Sequence, residues 1–324
     1  MQLRRLGRSG LSVSVVGLGC NNLGRRGAPS EDQAGTDAVV HAALDAGITL
    51  FDVADVYGAE AGQSETMLGK ALGSRRDEVV LATKFGLDMG GANGPDFGAR
   101  GSRRYIMTSV EASLRRLGTD HIDLYQFHTP DPSTPIEETL DALDDLVRAG
   151  KVRYIGHSNR AGWQIADAEH VARARGGARF VSSQNHYNLL DRRAELEVTP
   201  AAEAYGLGVL PYFPLARGLL TGKYSDGVAP EGSRLSHSNQ HVLEGADLEQ
   251  LRAFGDFARE RGLTELQVAF SWLASRPSVG SVIAGATRPD QVEANAAAAD
   301  WVPTPQDEAA LDEIFPPVPK VALF

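Results

Sequence analysis

"IDLYQFHTPDPSTPIEETLDALDDLVRAGKVRYIGHSN", residues 122–159, decides the fold. It opens on a β-branched and aromatic run, Ile122–His128, and closes on another, Val152–Asn159. Between them Ile136, Leu140, Leu143 and Val147 recur at helical spacing, with Pro135 at the start and Gly150 at the end. Thr134 is the expected N-cap. A strand, a helix and a strand of this length read as parallel pairing through a right-handed crossover.

Working outward, the same alternation runs along the chain. Strands are expected at Val13–Leu18, Thr49–Ala54, Glu78–Lys84, Phe180–His186, Gly208–Pro214 and Ser278–Ala284, which with the two above makes eight. Helical patterns cover Glu31–Ala46, Ser64–Leu72, residues 105–118, Gly162–Arg175, Ala194–Ala204, Leu248–Arg261, Glu265–Ser275 and Pro289–Ala299. Eight repeats predict an α/β chain closed into a (β/α)8 TIM barrel rather than an open sheet. Residues 3–19, "LRRLGRSGLSVSVVGLG", predict an N-terminal β-hairpin turning at Arg8-Ser9-Gly10. No linker or composition break divides the chain, so residues 1–324 read as one domain. Two long segments, 86–104 and 222–246, follow strands. They are expected as long loops at the C-terminal mouth, where such loops carry function.

Composition narrows the function. Forty-two per cent of the 324 residues are hydrophobic, so a large core is available. The net charge of −10, with no basic block, argues against nucleic acid and membrane surfaces as partners. Any local group of Lys and Arg is therefore informative. The single cysteine, Cys20, allows no intramolecular disulfide and no thiolate-rich zinc site. No run of 18 apolar residues and no apolar leader occurs, so a cytoplasmic protein is expected. Oligomeric state is left open.

In a barrel, chemistry sits where strands end. Those ends carry Asp52, then Tyr57 just beyond, Lys84, His128, Ser158 and Asn159, Gln184, and Tyr212. Singly each has an ordinary structural role. Together they place ionisable groups at one level of strands two, three and four, and a buried charge is costly unless paired. An Asp52–Lys84 pair meets that cost. A lysine beside Tyr57 favours phenolate and is expected to lower the phenol's pKa, preparing it to protonate a developing alkoxide. His128 is placed to hydrogen-bond a carbonyl oxygen. Ser158, Asn159 and Gln184 suit a carboxamide, and Tyr212 a flat heterocycle. Arg217 and Lys223, in "PLARGLLTGKY" (214–224), suit a pyrophosphate, and Arg288 at a helix start suits a further phosphate.

Taken in order, "FDVADVYG", "LATKFG", "DLYQFHTPD", "YIGHSN", "QNHYNLLDR", "PLARGLLTGKY" and "GATRPDQVEAN" resemble the successive signatures of the aldo-keto reductase superfamily. "GRSGL" and "ARGLLTGKY" resemble its branch of bacterial general-stress reductases and potassium-channel β-subunits. The resemblance implies an oxidoreductase that reduces an aldehyde or ketone with NAD(P)H, NADPH being favoured and NADH possible. It implies a tetrad of Asp52, Tyr57, Lys84 and His128, with Tyr57 as proton donor. It places Ser158, Asn159 and Gln184 on the nicotinamide carboxamide and Tyr212 on its ring. Leu215 to Lys223, including Arg217, would cover the pyrophosphate, and Thr287, Arg288, Gln291 and Asn295 the adenosine end. Gly19, Cys20 and Asn21 would also contact the cofactor, although the family has Gly-Thr after its first strand where this chain has Gly19-Cys20-Asn21, and Phe213 stands where Ser is common.

Other readings fit less well. "GLGCNNLG" (17–24) has Asn22 where a Rossmann fingerprint needs its third glycine, and no acidic residue sits about 20 positions on at a strand end. The eight histidines show no His-x-His or His-Glu-x-x-His pattern, so no metal site is expected. The alternative is a cofactor-binding sensor or regulatory subunit with little turnover, in which the same residues would appear.

Overall fold

The computed structural model describes residues 1–230, 234–237 and 240–320. A two-stranded antiparallel hairpin, β1 (Leu3–Arg5) and β2 (Ser12–Ser14), precedes eight parallel strands. These are β3 (Val16–Gly19), β4 (Leu50–Asp52), β5 (Val80–Phe85), β6 (Ile122–Phe127), β7 (Val152–Ser158), β8 (Phe180–His186), β9 (Gly208–Tyr212) and β10 (Val282–Gly285). Their spatial order is β10-β3-β4-β5-β6-β7-β8-β9. The ring closes between the outer two through residues 278–280, where Val209 N donates to Ser278 O at 2.7 Å and Gly280 N to Val209 O at 2.9 Å. This is the (β/α)8 TIM barrel expected.

The helices that follow the strands are α1 (Gln33–Asp45), α2 (Gln63–Leu72), α3 (Arg103–Leu117), α4 (Ile136–Arg148), α5 (Gly162–Arg175) and α6 (Ala194–Tyr205), then four after β9. Those four are α7 (Arg234–His237), α8 (Gln240–Glu244), α9 (Leu248–Glu260) and α10 (Glu265–Ala274), and α11 (Pro289–Ala296) and α12 (Pro305–Ile314) end the chain. Outward-facing strand residues such as Phe51, Leu81, Tyr125 and Ile155 pack with Leu68, Ile106 and Leu143 of the helices in one continuous cluster. Inside the barrel a second cluster holds Leu50, Ala82, Leu124, Leu210 and Ile283 together with Leu6, Leu11 and Val13 of the hairpin. The hairpin therefore plugs the N-terminal end. Strand side chains alternate between faces, so two residues further along β4, β5, β6 and β9 the interior is lined by Asp52, Lys84, Gln126 and Tyr212.

Several local expectations are corrected. The expected first strand, Val13–Leu18, is two elements. Ser14 N donates to Thr49 Oγ1 at 2.8 Å and Thr49 N to Ser14 Oγ at 2.9 Å, and these bonds end the hairpin before β3 begins. The hairpin turn closes from Leu6 N to Leu11 O, and its left-handed residue is Gly7 (φ 59°). A Cβ there would lie 2.3 Å from Gly206 O, so the hairpin's close seat against the barrel needs glycine. Thr134 does not cap α4: its Oγ1 donates to Asp131 Oδ2 at 2.9 Å, and Pro135 holds the cap position without a side-chain bond. The seventh barrel strand stops at Tyr212 because Phe213 turns left-handed at φ 54°. The segment expected as a loop over 222–246 contains α7 and α8, while its residues 231–233, 238 and 239 lie outside the described ones.

Candidate active site

Asp52 is the last residue of β4, and its carboxylate is almost fully buried. Lys84 on β5 donates to its Oδ2 at 2.7 Å, while the amides of Gln126 on β6 and Gln184 on β8 both donate to Oδ1 at 3.0 Å. The carboxylate is thus held by a cation and two neutral donors, which is what lets a charge sit inside a barrel. Gly156 makes room for this layer: a Cβ on it would lie 2.2 Å from Ser182 Oγ and 3.2 Å from Gln126 Cγ. Gln126 was missed in the sequence. Its signal was parity: Leu124, Gln126 and His128 alternate onto one face of β6.

Lys84 is fully buried and also donates to Val53 O at 3.0 Å and to the Tyr57 hydroxyl at 3.3 Å. Burial works against its ammonium, but Asp52 and then Tyr57 outweigh burial and hold its pKa above the ordinary value. For Tyr57 burial is the largest influence and raises the phenol. Lys84 lowers it and Asp52 raises it again, leaving it above the ordinary value. The sequence expectation of a phenol with a lowered pKa is corrected: Lys84 acts in that direction, but desolvation is stronger. His128 packs edge-on to Tyr57, with ring centroids 5.9 Å apart. Burial, then Lys84, pushes its pKa down to about 3, so the imidazole is neutral at physiological pH. Its Nδ1 is buried with no hydrogen-bond partner.

Tyr57 and His128 open onto a cleft of about 1050 Å³. Ser158, Asn159, Gln184 and Tyr212 line it too. Asn159 is left-handed (φ 58°), donates to His128 O at 2.9 Å and accepts from the Tyr212 hydroxyl at 2.8 Å. Tyr212 stacks on His186 at 5.4 Å, so one of its faces is covered by protein. The next turn is left-handed at Phe213, Ala216 and Arg217, three non-glycine residues in a sparsely populated region. It brings Leu215, Arg217 and Lys223 to the cleft wall. Thr287, Arg288, Gln291 and Asn295, around the start of α11, also line the cleft, with Gln291 Oε1 accepting from Thr287 N at 2.9 Å. Arg288 forms a two-pronged pair with Asp290 at 2.9 Å on each prong.

The structure therefore brings nearly all of the sequence's candidates onto one cleft. Two differ. Lys84 lies behind Tyr57 and does not line the wall. Cys20 is fully buried and absent from the lining, its thiol donating weakly to Leu18 O at 3.7 Å, although Gly19 and Asn21 beside it do reach the cleft. Asn22, Arg25 and Arg26 line the cleft and were not singled out from the sequence. Among the described residues no group of three or more His, Cys, Asp or Glu could hold a metal ion, and no helix is long and apolar enough to cross a membrane.

The donor set fits a nicotinamide dinucleotide. Amides and a hydroxyl, an aromatic ring and cationic side chains line one cleft, as a carboxamide, a heterocycle and phosphates require.

A family model described as "Aldo/keto reductase family" matches residues 15–315. The oxidoreductase YrpG of Bacillus subtilis (strain 168) is 38% identical over 98% of this chain and 96% of its own. A relative in Schizosaccharomyces pombe, named for a voltage-gated potassium channel β-subunit, is 37% identical over 96% of this chain and 92% of its own. The L-glyceraldehyde 3-phosphate reductase of Escherichia coli (strain K12) is 35% identical over 91% of this chain and 86% of its own.

Proposed function

The chain belongs to the aldo/keto reductase family, and on that premise we propose that it reduces an aldehyde or ketone to an alcohol, with NADPH as cofactor and Tyr57 as proton donor. One observation carries the reading: the Tyr57 hydroxyl, on the wall of the cleft, accepts from Lys84 Nζ at 3.3 Å, and Lys84 is anchored to Asp52 at 2.7 Å.

A bound nicotinamide cofactor supplies the hydride. The chain's own residues handle charge and proton. Neutral His128 hydrogen-bonds the carbonyl oxygen and orients it toward the Tyr57 hydroxyl. As negative charge builds on that oxygen, Tyr57 gives up its proton. The phenolate left behind sits against the Lys84 ammonium in a site with little water, where the attraction is far stronger than in bulk. The raised phenol pKa suits this order of events. The donor stays protonated through neutral pH, and Lys84 stabilises the charge only once the proton has left, so its effect falls on the transition state rather than the ground state. Asp52 keeps the ammonium charged and fixed, and Gln126 and Gln184 keep Asp52 fixed.

Ser158, Asn159 and Gln184 would hold the carboxamide, with Gln184 contributing what its bond to Asp52 leaves free. Tyr212, backed by His186, would pack on the ring. Arg217, Lys223 and the turn beginning at Leu215 would hold the pyrophosphate. Thr287, Arg288, Gln291 and Asn295 would take the adenosine end. NADPH is favoured because Arg288 offers a guanidinium for a 2′-phosphate, and an exposed pair such as Arg288–Asp290 is worth only about 0–1 kcal/mol to displace.

The test is Tyr57→Phe, assayed by NADPH oxidation with 4-nitrobenzaldehyde. Turnover is expected to fall by roughly 10²–10⁴-fold, while NADPH affinity, followed by protein fluorescence, stays within about twofold. Equal loss of both would remove Tyr57 from the acid role. A second reading, a cofactor sensor with little turnover, is favoured by the relative named for a channel β-subunit. Tight NADPH binding by the wild type with no oxidation across a panel of aldehydes and ketones would select it.

A further inference from the structure

The cleft's wall carries more positive charge than a dinucleotide uses, on a chain whose net charge is −10. Among the described residues that line it are Arg25, Arg26, Arg217, Lys223 and Arg288, against a single acidic residue, Asp52, which is committed to Lys84. Arg217, Lys223 and Arg288 follow β9 and β10 and are taken up by the cofactor reading above. Arg25 and Arg26 are not. They stand on the loop between β3 and α1, on the other side of β10 from the Arg217 turn.

That loop is tied on both flanks. Toward β10, Asn22 Nδ2 donates to Ala286 O at 3.5 Å. Toward the Tyr57 loop, Ala59 N donates to Gly24 O at 3.0 Å and Ser64 Oγ to Cys20 O at 2.7 Å. Arg25 and Arg26 are thus held between the segment assigned to the cofactor's phosphates and the segment carrying the proton donor. Their charges are uncommitted. Arg25 is half-buried and donates to the neutral Asn22 Oδ1 at 3.2 Å. Arg26 is exposed, and no carboxylate pairs with either among the described residues. The two carboxylates on the same loop, Glu31 and Asp32, accept from Gly27 N at 2.7 Å and Gly35 N at 2.8 Å, and neither lines the cleft. Many other arginines of the chain, Arg76, Arg116, Arg192 and Arg261 among them, are paired with Asp or Glu.

We propose that Arg25 and Arg26 recognise an anionic group on the substrate, so that the enzyme's preferred carbonyl compound is a small aldehyde or ketone carrying a carboxylate or phosphate. The inference rests on the reductase reading and adds the substrate class to it. Guanidinium groups suit both anions, because each offers two parallel N–H donors to a pair of oxygens.

The experiment compares matched substrates with NADPH: 4-carboxybenzaldehyde against 4-nitrobenzaldehyde, and glyceraldehyde 3-phosphate against glyceraldehyde. Wild type is expected to show a kcat/KM at least tenfold higher for one or both anionic members, and the favoured pair identifies carboxylate or phosphate. In Arg25→Gln/Arg26→Gln the advantage disappears, while kcat/KM for the neutral members and the NADPH dissociation constant stay within twofold. Arg26→Gln alone, which removes no ion pair or side-chain hydrogen bond among the described residues, shows part of the same loss and keeps the result independent of folding. Turnover without any charge preference overturns the proposal and leaves the reductase reading intact. So does a variant whose NADPH affinity falls instead, which would assign the two arginines to the cofactor. Should no aldehyde be turned over, the reductase reading fails. The charge proposal is then read from calorimetric binding of 4-carboxybenzaldehyde and glyceraldehyde 3-phosphate to the NADP⁺-loaded protein: tenfold weaker binding in the double variant supports it, and equal binding sinks it.

Discussion

Two layers of the same barrel interior, one step of two residues apart, have opposite chemistry. The lower layer is Leu50, Ala82, Leu124 and Leu210, closed from below by Leu6, Leu11 and Val13 of the hairpin. Two residues on along the same strands stand Asp52, Lys84, Gln126 and Tyr212. The backbone does not change between them; register pairs Ala82 with Leu124 and, one step up, Lys84 with Gln126. What changes is which free-energy term is being used. The lower layer excludes water, which favours folding. The upper layer buries a charge, a cost that only partners can offset, and the arrangement of those partners is the chemistry. A barrel can carry a costly polar layer because the layer beneath it and the helical shell outside supply the stability.

The largest expected break of that comparison is Lys84→Met. It leaves the Asp52 carboxylate buried with only Gln126 and Gln184 as donors, and removal of one partner from a buried pair costs about 3–5 kcal/mol. The same change should lower turnover at least 10²-fold. Urea unfolding and kcat measured on one preparation check both. A variant with wild-type stability would mean that the two glutamines alone carry the charge, and wild-type turnover would mean that Lys84 does not serve Tyr57.

Leu124→Ala tests the lower layer. A buried leucine truncated to alanine costs about 2–5 kcal/mol, depending on how far the cavity collapses. Here the expectation is a single-sided effect: stability falls by that amount, while kcat/KM and NADPH affinity at saturating stability stay within about threefold. If activity fell in proportion to stability loss at temperatures where the variant is fully folded, the two layers would not be separable.

The same contrast explains what was legible beforehand. The lower layer and the helical shell speak through periodicity, so Leu124 with Ile136, Leu140, Leu143 and Val147 predicted a strand and a helix that the structure contains. The upper layer speaks through residue type at a strand end, so Asp52, Lys84 and His128 were visible. Gln126 was not, since a neutral amide between Tyr125 and Phe127 carries no charge to explain, and its role depends on Asp52, 74 positions away. The net pKa of Tyr57 was also out of reach: its sign is decided by burial competing with Lys84, and burial belongs to the folded chain. Boundaries set by side-chain bonding slipped in the same way. Thr134 looks like an N-cap until Asp131 is seen to bind its hydroxyl. Helix α12 went unread although Thr304, Pro305 and Asp307 make a capping box with proline at its first turn. Arg25 and Arg26 gave no signal in sequence because two adjacent arginines on a glycine-bounded loop usually face solvent.

The smallest expected effect concerns Asp55, three residues past Asp52 and just outside the polar layer. It is fully buried, with Oδ2 accepting from Asn93 Nδ2 at 2.9 Å and Oδ1 without a partner. Burial, reinforced by Glu65 and opposed by Arg116 and Asn93, pushes its pKa up to about 7. An acid raised in this way binds its proton more tightly folded than unfolded. Between the ordinary carboxylate pKa near 4 and about 7 the folded chain therefore holds more proton, and stability falls as pH rises through that window, by at most about 4 kcal/mol. The cause differs from that at Lys84, where Asp52 and Tyr57 outweigh burial; at Asp55 burial prevails over its partners. Asp55→Asn keeps the bond from Asn93 and removes the titration. Its stability relative to wild type should be near zero at pH 4, rise through pH 5 and 6, and level off above pH 7 at about 1–3 kcal/mol in the variant's favour. Urea unfolding at those pH values measures the difference directly. A difference that does not change with pH would show that Asp55 ionises as freely in the fold as outside it, and that the burial contrast stops at the barrel wall.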